Sequence, residues 1–197
     1  MMTEISLNVL DVAENSTRAG AALVAITAAV DTASDLLTIT IADDGCGMTE
    51  EQAAHVTDPF FTTRKTRKVG LGIPFFKYAA ESTGGSFTID STPGVGTTVT
   101  AVFGLSHIDR MPLGDMNGTI ETLITCHPDT DFLYTYRYND ASFVLDTREF
   151  REILGDIPFD TPEVSAYIKE YLAENKLETD GGAVIRSEEH TSELQSL

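Results

Sequence analysis

The sequence predicts an α+β protein, a two-layer α/β sandwich with a mainly antiparallel sheet, followed by a small α/β C-terminal extension. Three observations lead there. Apolar residues alternate in paired runs at 22–42 and 86–103, helical periods lie between and before them, and glycine or proline marks the junctions. The 197 residues allow one domain of ordinary size with room for an appendage.

Taken in order, Ile5 to about Ala19 carries a helical period with Leu10, Val12 and Ala13 among its apolar positions and Gly20 as its stop. Asn8, Asp11 and Asn15 at i, i+3 and i+7 form a polar stripe on that helix. Such a stripe is either a solvent face or a set of oxygens that could hold a hydrated magnesium ion, which needs few protein ligands. Ala22–Val30 and Leu37–Ala42 read as a hairpin across the turn 31–35. Thr49 and Gln52 give a capping box for a short helix through about Val56. Pro74–Ser82 is helical and closed by Gly84-Gly85. Ser86–Ser91 and Thr97–Phe103 form a second hairpin around a Pro93-Gly94 turn.

The boundaries expected are a first domain at 1–104, a linker at 105–114 broken by Pro112 and Gly114, and an extension at 115–185. Within the extension, a helix is expected over 115–126, a hairpin around Asn139-Asp140, and capped helices from Thr147 and from Thr161-Pro162 to about Asn175. Residues 186–197 (RSEEHTSELQSL) match no natural domain end and are set aside as an artefactual tail.

A net charge of -18 argues against nucleic acid or an anionic membrane as the main partner, since both require a basic footprint. No run approaches the ~18 apolar residues of a membrane span, and no signal-peptide pattern opens the chain, so a cytoplasmic location is expected. Cys46 and Cys126 lack metal-ligand spacing and are expected as free thiols.

Chemistry concentrates in three stretches. The strand at 37–42 runs into Asp43-Asp44-Gly45-Cys46-Gly47-Met48, where an ionised carboxylate offers only acceptors and so suits an exocyclic amine such as that of adenine. The same residues would also serve as a loop-closing turn. Asp58-Pro59-Phe60-Phe61-Thr62-Thr63 leads into Arg64, Lys65, Arg67 and Lys68, four of the 13 basic residues, which either form a solvated loop or meet an anion such as phosphate. Gly70-Leu71-Gly72 then precedes a helix, whose N-terminal amides favour phosphate.

The order Asp11-x-x-x-Asn15, Asp43-x-Gly45-x-Gly47, Asp58-Pro59-Phe60-Phe61, Gly70-Leu71-Gly72 and Gly94-x-Gly96-Thr97-Thr98 resembles the GHKL superfamily. That superfamily comprises the ATPase domains of sensor histidine kinases, anti-sigma-factor serine kinases, type II topoisomerases, mismatch-repair ATPases and ninety-kilodalton heat-shock chaperones, and the Asp58–Arg64 stretch is most similar to the kinase branch. The resemblance covers about Leu7 to Phe103 and implies a Bergerat-type ATP-binding fold with ATP and Mg²⁺ as cofactors. It implies Asn15 as magnesium ligand, Asp43 as partner of the adenine amine, and Gly45, Gly47 and Met48 beside the base. Gly70, Leu71 and Gly72 would meet the phosphates, and Thr97 or Thr98 would complete the adenine end. Charge, rather than the resemblance, assigns Arg64, Lys65, Arg67 and Lys68 to the γ-phosphate, with Phe60 and Phe61 anchoring a lid.

Two positions depart from the pattern. Lys68 stands where many relatives have glycine. Asp11 stands where histidine kinases carry Asn and hydrolysing members Glu; a carboxylate there can act as general base, which makes Asp11 the catalytic candidate. Ser106–Leu113 echoes a phospho-acceptor box around His107, but it follows a strand and Asp109 stands two residues after the His, so the linker reading is preferred. The expected function is a stand-alone protein kinase or signalling ATPase that passes the γ-phosphate to a protein partner, on His or Ser/Thr. The alternatives are an ATP-hydrolysing switch and a regulatory module that only binds nucleotide.

Overall fold

The computed structural model describes residues 3–60 and 72–185. The elements run α1 (Ile5–Arg18), β1 (Leu23–Asp31), β2 (Leu36–Asp43), α2 (Glu50–Val56), α3 (Gly72–Glu81), β3 (Ser86–Thr92) and β4 (Gly96–Gly104). They continue as α4 (Met116–Cys126), β5 (Asp131–Tyr138), β6 (Ala141–Asp146), α5 (Thr147–Leu154) and α6 (Pro162–Asp180). The strands form one sheet in the order β3-β4-β2-β1-β5-β6, antiparallel throughout except for the parallel pair β1 and β5.

Register explains the core. Ile41 stands opposite both Ile26 and Val99, Ile39 opposite Ala28 and Ala101, and Leu37 opposite Val30 and Phe103. Opposed residues share a sheet face, so these side chains form one continuous apolar surface, continued on β5 by Phe132, Tyr134 and Tyr136. Ile5, Val9 and Val12 of α1 and Phe76 of α3 bury against it, each large apolar side chain contributing about 1.5–3 kcal/mol. The opposite face carries Ala25, Thr27, Thr38, Thr40 and Thr100, all half-buried, which leaves a two-layer α+β sandwich with a mixed sheet.

The helical layer is built by local signals. Thr49 accepts from the Gln52 N–H at 3.2 Å while the Gln52 side chain accepts from the Thr49 N–H at 2.9 Å, so the expected capping box is present. Asp115 caps α4 through the Gly118 N–H. No side chain caps α1; its Ile5 and Ser6 N–H groups instead donate to the Pro112 and Leu113 carbonyls at 3.0 and 2.9 Å. Residues 105–115 are therefore stitched to the start of α1 before β5 docks on β1.

α6 runs past the expected end near Asn175 to Asp180, because Lys176 pairs with Asp180 one turn on and Gly181 at φ +63° supplies the left-handed stop. The parallel β1–β5 pairing has no local signature, since it depends on which edge of the first sheet stays open. Both Cys46 and Cys126 are free and exposed, as expected.

Candidate functional site

Asp43 ends β2 where the sheet opens toward α1. Its Oδ1 accepts the Gly45 N–H at 2.9 Å, and its Oδ2 accepts the Ser16 hydroxyl at 2.5 Å. Each carboxylate oxygen retains a second lone pair, so the group can still accept from a ligand. Asp44 works differently. It reaches back to take the Ala22 and Leu23 N–H groups at 2.8 and 3.0 Å, satisfying the free amides at the start of β1.

The two glycines that follow are required by backbone packing. A Cβ on Gly45 would lie 2.9 Å from the Ala19 Cβ and 3.0 Å from the Ala19 carbonyl, which itself accepts the Cys46 N–H. Gly47 has φ +67°, and a Cβ there would sit 2.0 Å from the Thr92 carbonyl. Met48 is half-buried and donates its N–H to Ser91 Oγ at 2.8 Å. The loop is thus clamped between α1 and the β3–β4 turn, with Gly94 N–H on the Cys46 carbonyl at 2.7 Å closing it.

The register separates the two threonines. Thr97 stands opposite Asp43 and therefore on its face of the sheet, where its hydroxyl lies 2.7 Å from Ser91 Oγ. Thr98 stands opposite Ala42 and Asp90, on the other face. The structure brings Thr97, and not Thr98, to the carboxylate side.

On α1 the polar stripe divides. Asp11 is exposed and Asn15 half-buried, its Oδ1 accepting from Arg18 Nη1 at 3.1 Å, whereas Asn8 is buried at 1% exposure where α3 and the 109–111 segment close over it. Gly72 opens α3 directly against Asp11: a Cβ there would lie 3.1 Å from the Asp11 Cβ and 3.3 Å from its Oδ2. Partial desolvation pushes the Asp11 carboxyl above its usual range, Arg18 opposes this and Glu14 adds to it. Phe60 is 94% exposed, with its N–H on Asp58 Oδ1. Phe61, Arg64, Lys65, Arg67, Lys68, Gly70 and Leu71 lie outside the described residues. His107 follows β4 in a turn where its Nδ1 accepts the Asp109 N–H at 3.1 Å.

Two residues of this site escaped the sequence reading. Ser16 falls on the buried stripe of Val9 and Val12 at helical spacing, and a hydroxyl on an apolar stripe is a readable signal. Ser91 is visible only through its register with Thr97.

The family model for histidine kinase-, DNA gyrase B- and HSP90-like ATPases matches residues 1–107, ending just past β4. The chain belongs to this ATPase family. Membership implies that the site takes ATP. Related curated proteins include the sensor histidine kinase YkoH of Bacillus subtilis, 34% identical over 70 residues, 33% of this chain and 15% of that protein. The Probable C4-dicarboxylate sensor kinase of the same organism is 32% identical over 74 residues, 38% of this chain and 14% of that one. The Non-motile and phage-resistance protein of Caulobacter vibrioides is 31% identical over 113 residues, 54% of this chain and 13% of that one. The chain thus spans at most 15% of the length of these relatives. Among the described residues no helix is long and apolar enough to cross a membrane.

The residues present fit the ligands that the family implies. Asp43 keeps acceptor capacity beside two hydroxyls, and the carboxylate of Asp11 and the amide oxygen of Asn15 lie one turn apart on α1. Among the described residues there is no cluster of three or more His, Cys, Asp or Glu that could hold a metal.

Proposed function

We propose that this chain is the ATP-binding and phosphoryl-transfer part of a signalling kinase that passes the γ-phosphate of ATP to a protein partner. Asp43 accepts the adenine amine, oriented by Ser16 and the Gly45 N–H, and Thr97 with Ser91 supplies hydroxyls to the same end of the base. Asn15 holds the magnesium ion, which when bound neutralises charge on the phosphates. Arg64, Lys65 and Lys68, with Gly70, Leu71 and Gly72, meet the phosphates, an assignment resting on charge and on family resemblance.

The observation that carries the reading is the placement of Asp11 against Gly72, one helical turn before Asn15. A carboxylate whose proton affinity is raised can take the proton of an attacking hydroxyl, and its position on α1 against Gly72 at the start of α3 sets it beside the proposed phosphates. The same carboxylate can activate water, so hydrolysis is the second reading.

Incubation with γ-labelled ATP, with and without cell extract, separates them. Label on a protein, lost in Asp11→Asn, is the expected result. Free phosphate without labelled protein would replace the kinase reading by hydrolysis, and ATP binding without turnover would leave a nucleotide-binding module.

A further inference from the structure

Past the residues that the ATPase family model matches, α5 and α6 leave a groove of about 580 Å³ between them. It exists because an apolar stripe is turned outward. Phe150, Ile153 and Leu154 on α5 and Ile157 in the turn beyond it fall at i, i+3, i+4 and i+7, the spacing that ordinarily faces a core. Here the core side of α5 is taken by Thr147, fully buried, and by Arg151, whose Nε donates to Asp131 on β5 at 2.6 Å. We infer that the groove docks an amphipathic helix of a partner protein, apolar on one face and flanked by Lys or Arg.

Shape selects a helix. Phe150 meets Tyr167 and Tyr171 of α6 edge-on, with ring centroids 6.0 and 5.6 Å apart, which joins the two helices. Ile153, Ile157 and Tyr167 line the groove and are 82%, 52% and 58% exposed, so the large apolar side chains form one patch rather than scattered positions. Ile153 and Ile157 stand four residues apart, Val164 and Tyr167 three apart, and such rows accept the ridges of a further helix.

Charge selects the flanks. Glu163 lines the groove, and Glu152, Asp156 and Asp160 each precede a lining residue in the chain; all four are exposed. None of them enters an ion pair among the described residues, and no Lys or Arg lines the groove. The cations of α5 are committed elsewhere, Arg151 to Asp131 and Arg148 to both oxygens of Asp146 at 2.9 and 2.8 Å. An apolar floor with uncompensated carboxylates at its margin attracts a cationic amphipathic segment. A second copy would bring two acidic margins together, and an anionic membrane would be repelled.

The test is calorimetric titration of the full chain, at physiological salt, with a synthetic leucine–lysine peptide of about 18 residues, long enough to form a helix, whose leucines follow the i, i+3, i+4, i+7 spacing. A peptide of the same composition with leucines spread around the helix is the control. Saturable one-to-one binding of the amphipathic peptide is expected, about tenfold tighter than the control and about tenfold weaker in Ile153→Ser or Tyr167→Ser. Both residues are exposed, so these variants are expected to fold, which circular dichroism checks. Glu152→Gln with Glu163→Gln should weaken binding about threefold, whereas Glu50→Gln with Glu51→Gln on α2 should leave it unchanged. Absence of saturable binding, equal affinity for the two peptides, or binding unchanged in the folded groove variants overturns the site. A dimer in analytical ultracentrifugation that Ile153→Ser dissociates would give the groove to a second copy and overturn it equally.

Discussion

The Ser16 hydroxyl donates to the Asp43 carboxylate at 2.5 Å, joining the residue next to Asn15 on α1 to the last residue of β2 across 27 positions of sequence. One bond therefore couples the proposed metal end of the site to the proposed adenine end. Ser16→Ala deletes it while leaving the Gly45 N–H in place. A hydrogen bond to a charged acceptor is worth about 1.5–3 kcal/mol, and the variant is expected to lose stability near the lower end of that range in urea unfolding. ATP affinity should fall with it, because Asp43 loses one of its two fixed partners.

Asp43→Asn tests the base-recognition assignment directly. It keeps the size of the side chain but replaces one acceptor oxygen with a donor facing the adenine amine. An expected loss of about 1.5–3 kcal/mol corresponds to roughly 10–150-fold weaker ATP binding by calorimetry, with circular dichroism unchanged. An affinity equal to wild type would reject Asp43 as the adenine partner.

Much of this was legible because local rules and tertiary packing agree. The alternation at Leu37, Ile39 and Ile41 and the Thr49 capping box each state their own structure. The glycines were legible in position but not in cause: Gly45 and Gly47 are needed against Ala19 and Thr92 carbonyls, which a sequence does not display. The choice between Thr97 and Thr98 depended on register, because a shift of one residue reverses every face of a strand. Asn8 shows the opposite failure. Helical spacing groups it with Asp11 and Asn15, but burial is decided by α3 and the 109–111 segment, which lie far away in sequence.

Gly47→Ala and Gly94→Ala separate packing from conformational strain. Both residues adopt left-handed φ, +67° and +75°. A Cβ on Gly94 meets nothing within 4 Å, so that variant is expected to cost about 1 kcal/mol. At Gly47 the Thr92 carbonyl 2.0 Å away must also move, and a loss above about 3 kcal/mol or failure to fold is expected in thermal unfolding. Equal destabilisation of the two would show that the loop is not clamped on the β3–β4 turn.

Acid stability is expected to depend on Asp180. Burial favours its neutral form, but Lys176 Nζ at 2.6 Å, the Tyr136 hydroxyl at 2.9 Å and the Gly182 N–H at 2.9 Å outweigh that and hold its carboxyl below the ordinary value of 3.8. The unfolded chain therefore takes up this proton first as pH falls. The stabilisation is complete above pH 3.8 and drains away as pH drops through the lower folded value. Asp180→Asn removes this contribution, so the gap in unfolding free energy between wild type and variant should narrow on acidification from pH 5 to pH 2. A gap independent of pH would place the stabilisation elsewhere.

Asp11 should show the reverse linkage, together with a loss of chemistry. Its folded carboxyl is raised above 3.8 by desolvation, helped by Glu14 and opposed by Arg18, so the folded state holds the proton to higher pH than the unfolded chain does. Stability then declines as pH rises through that window, and the cost persists at neutral pH. Asp11→Asn is expected to raise the melting temperature slightly, the effect being limited by the exposure of the side chain. Removing a general base typically costs about 10²–10⁴-fold in rate, so phosphate transfer or release should collapse while ATP affinity changes by no more than a few-fold. In the wild type, the acid limb of the pH–rate profile should lie above the ordinary carboxylate value and disappear in the variant's residual activity. Retained turnover in a folded Asp11→Asn protein would remove Asp11 from the chemistry and leave its contact with Gly72 a packing feature.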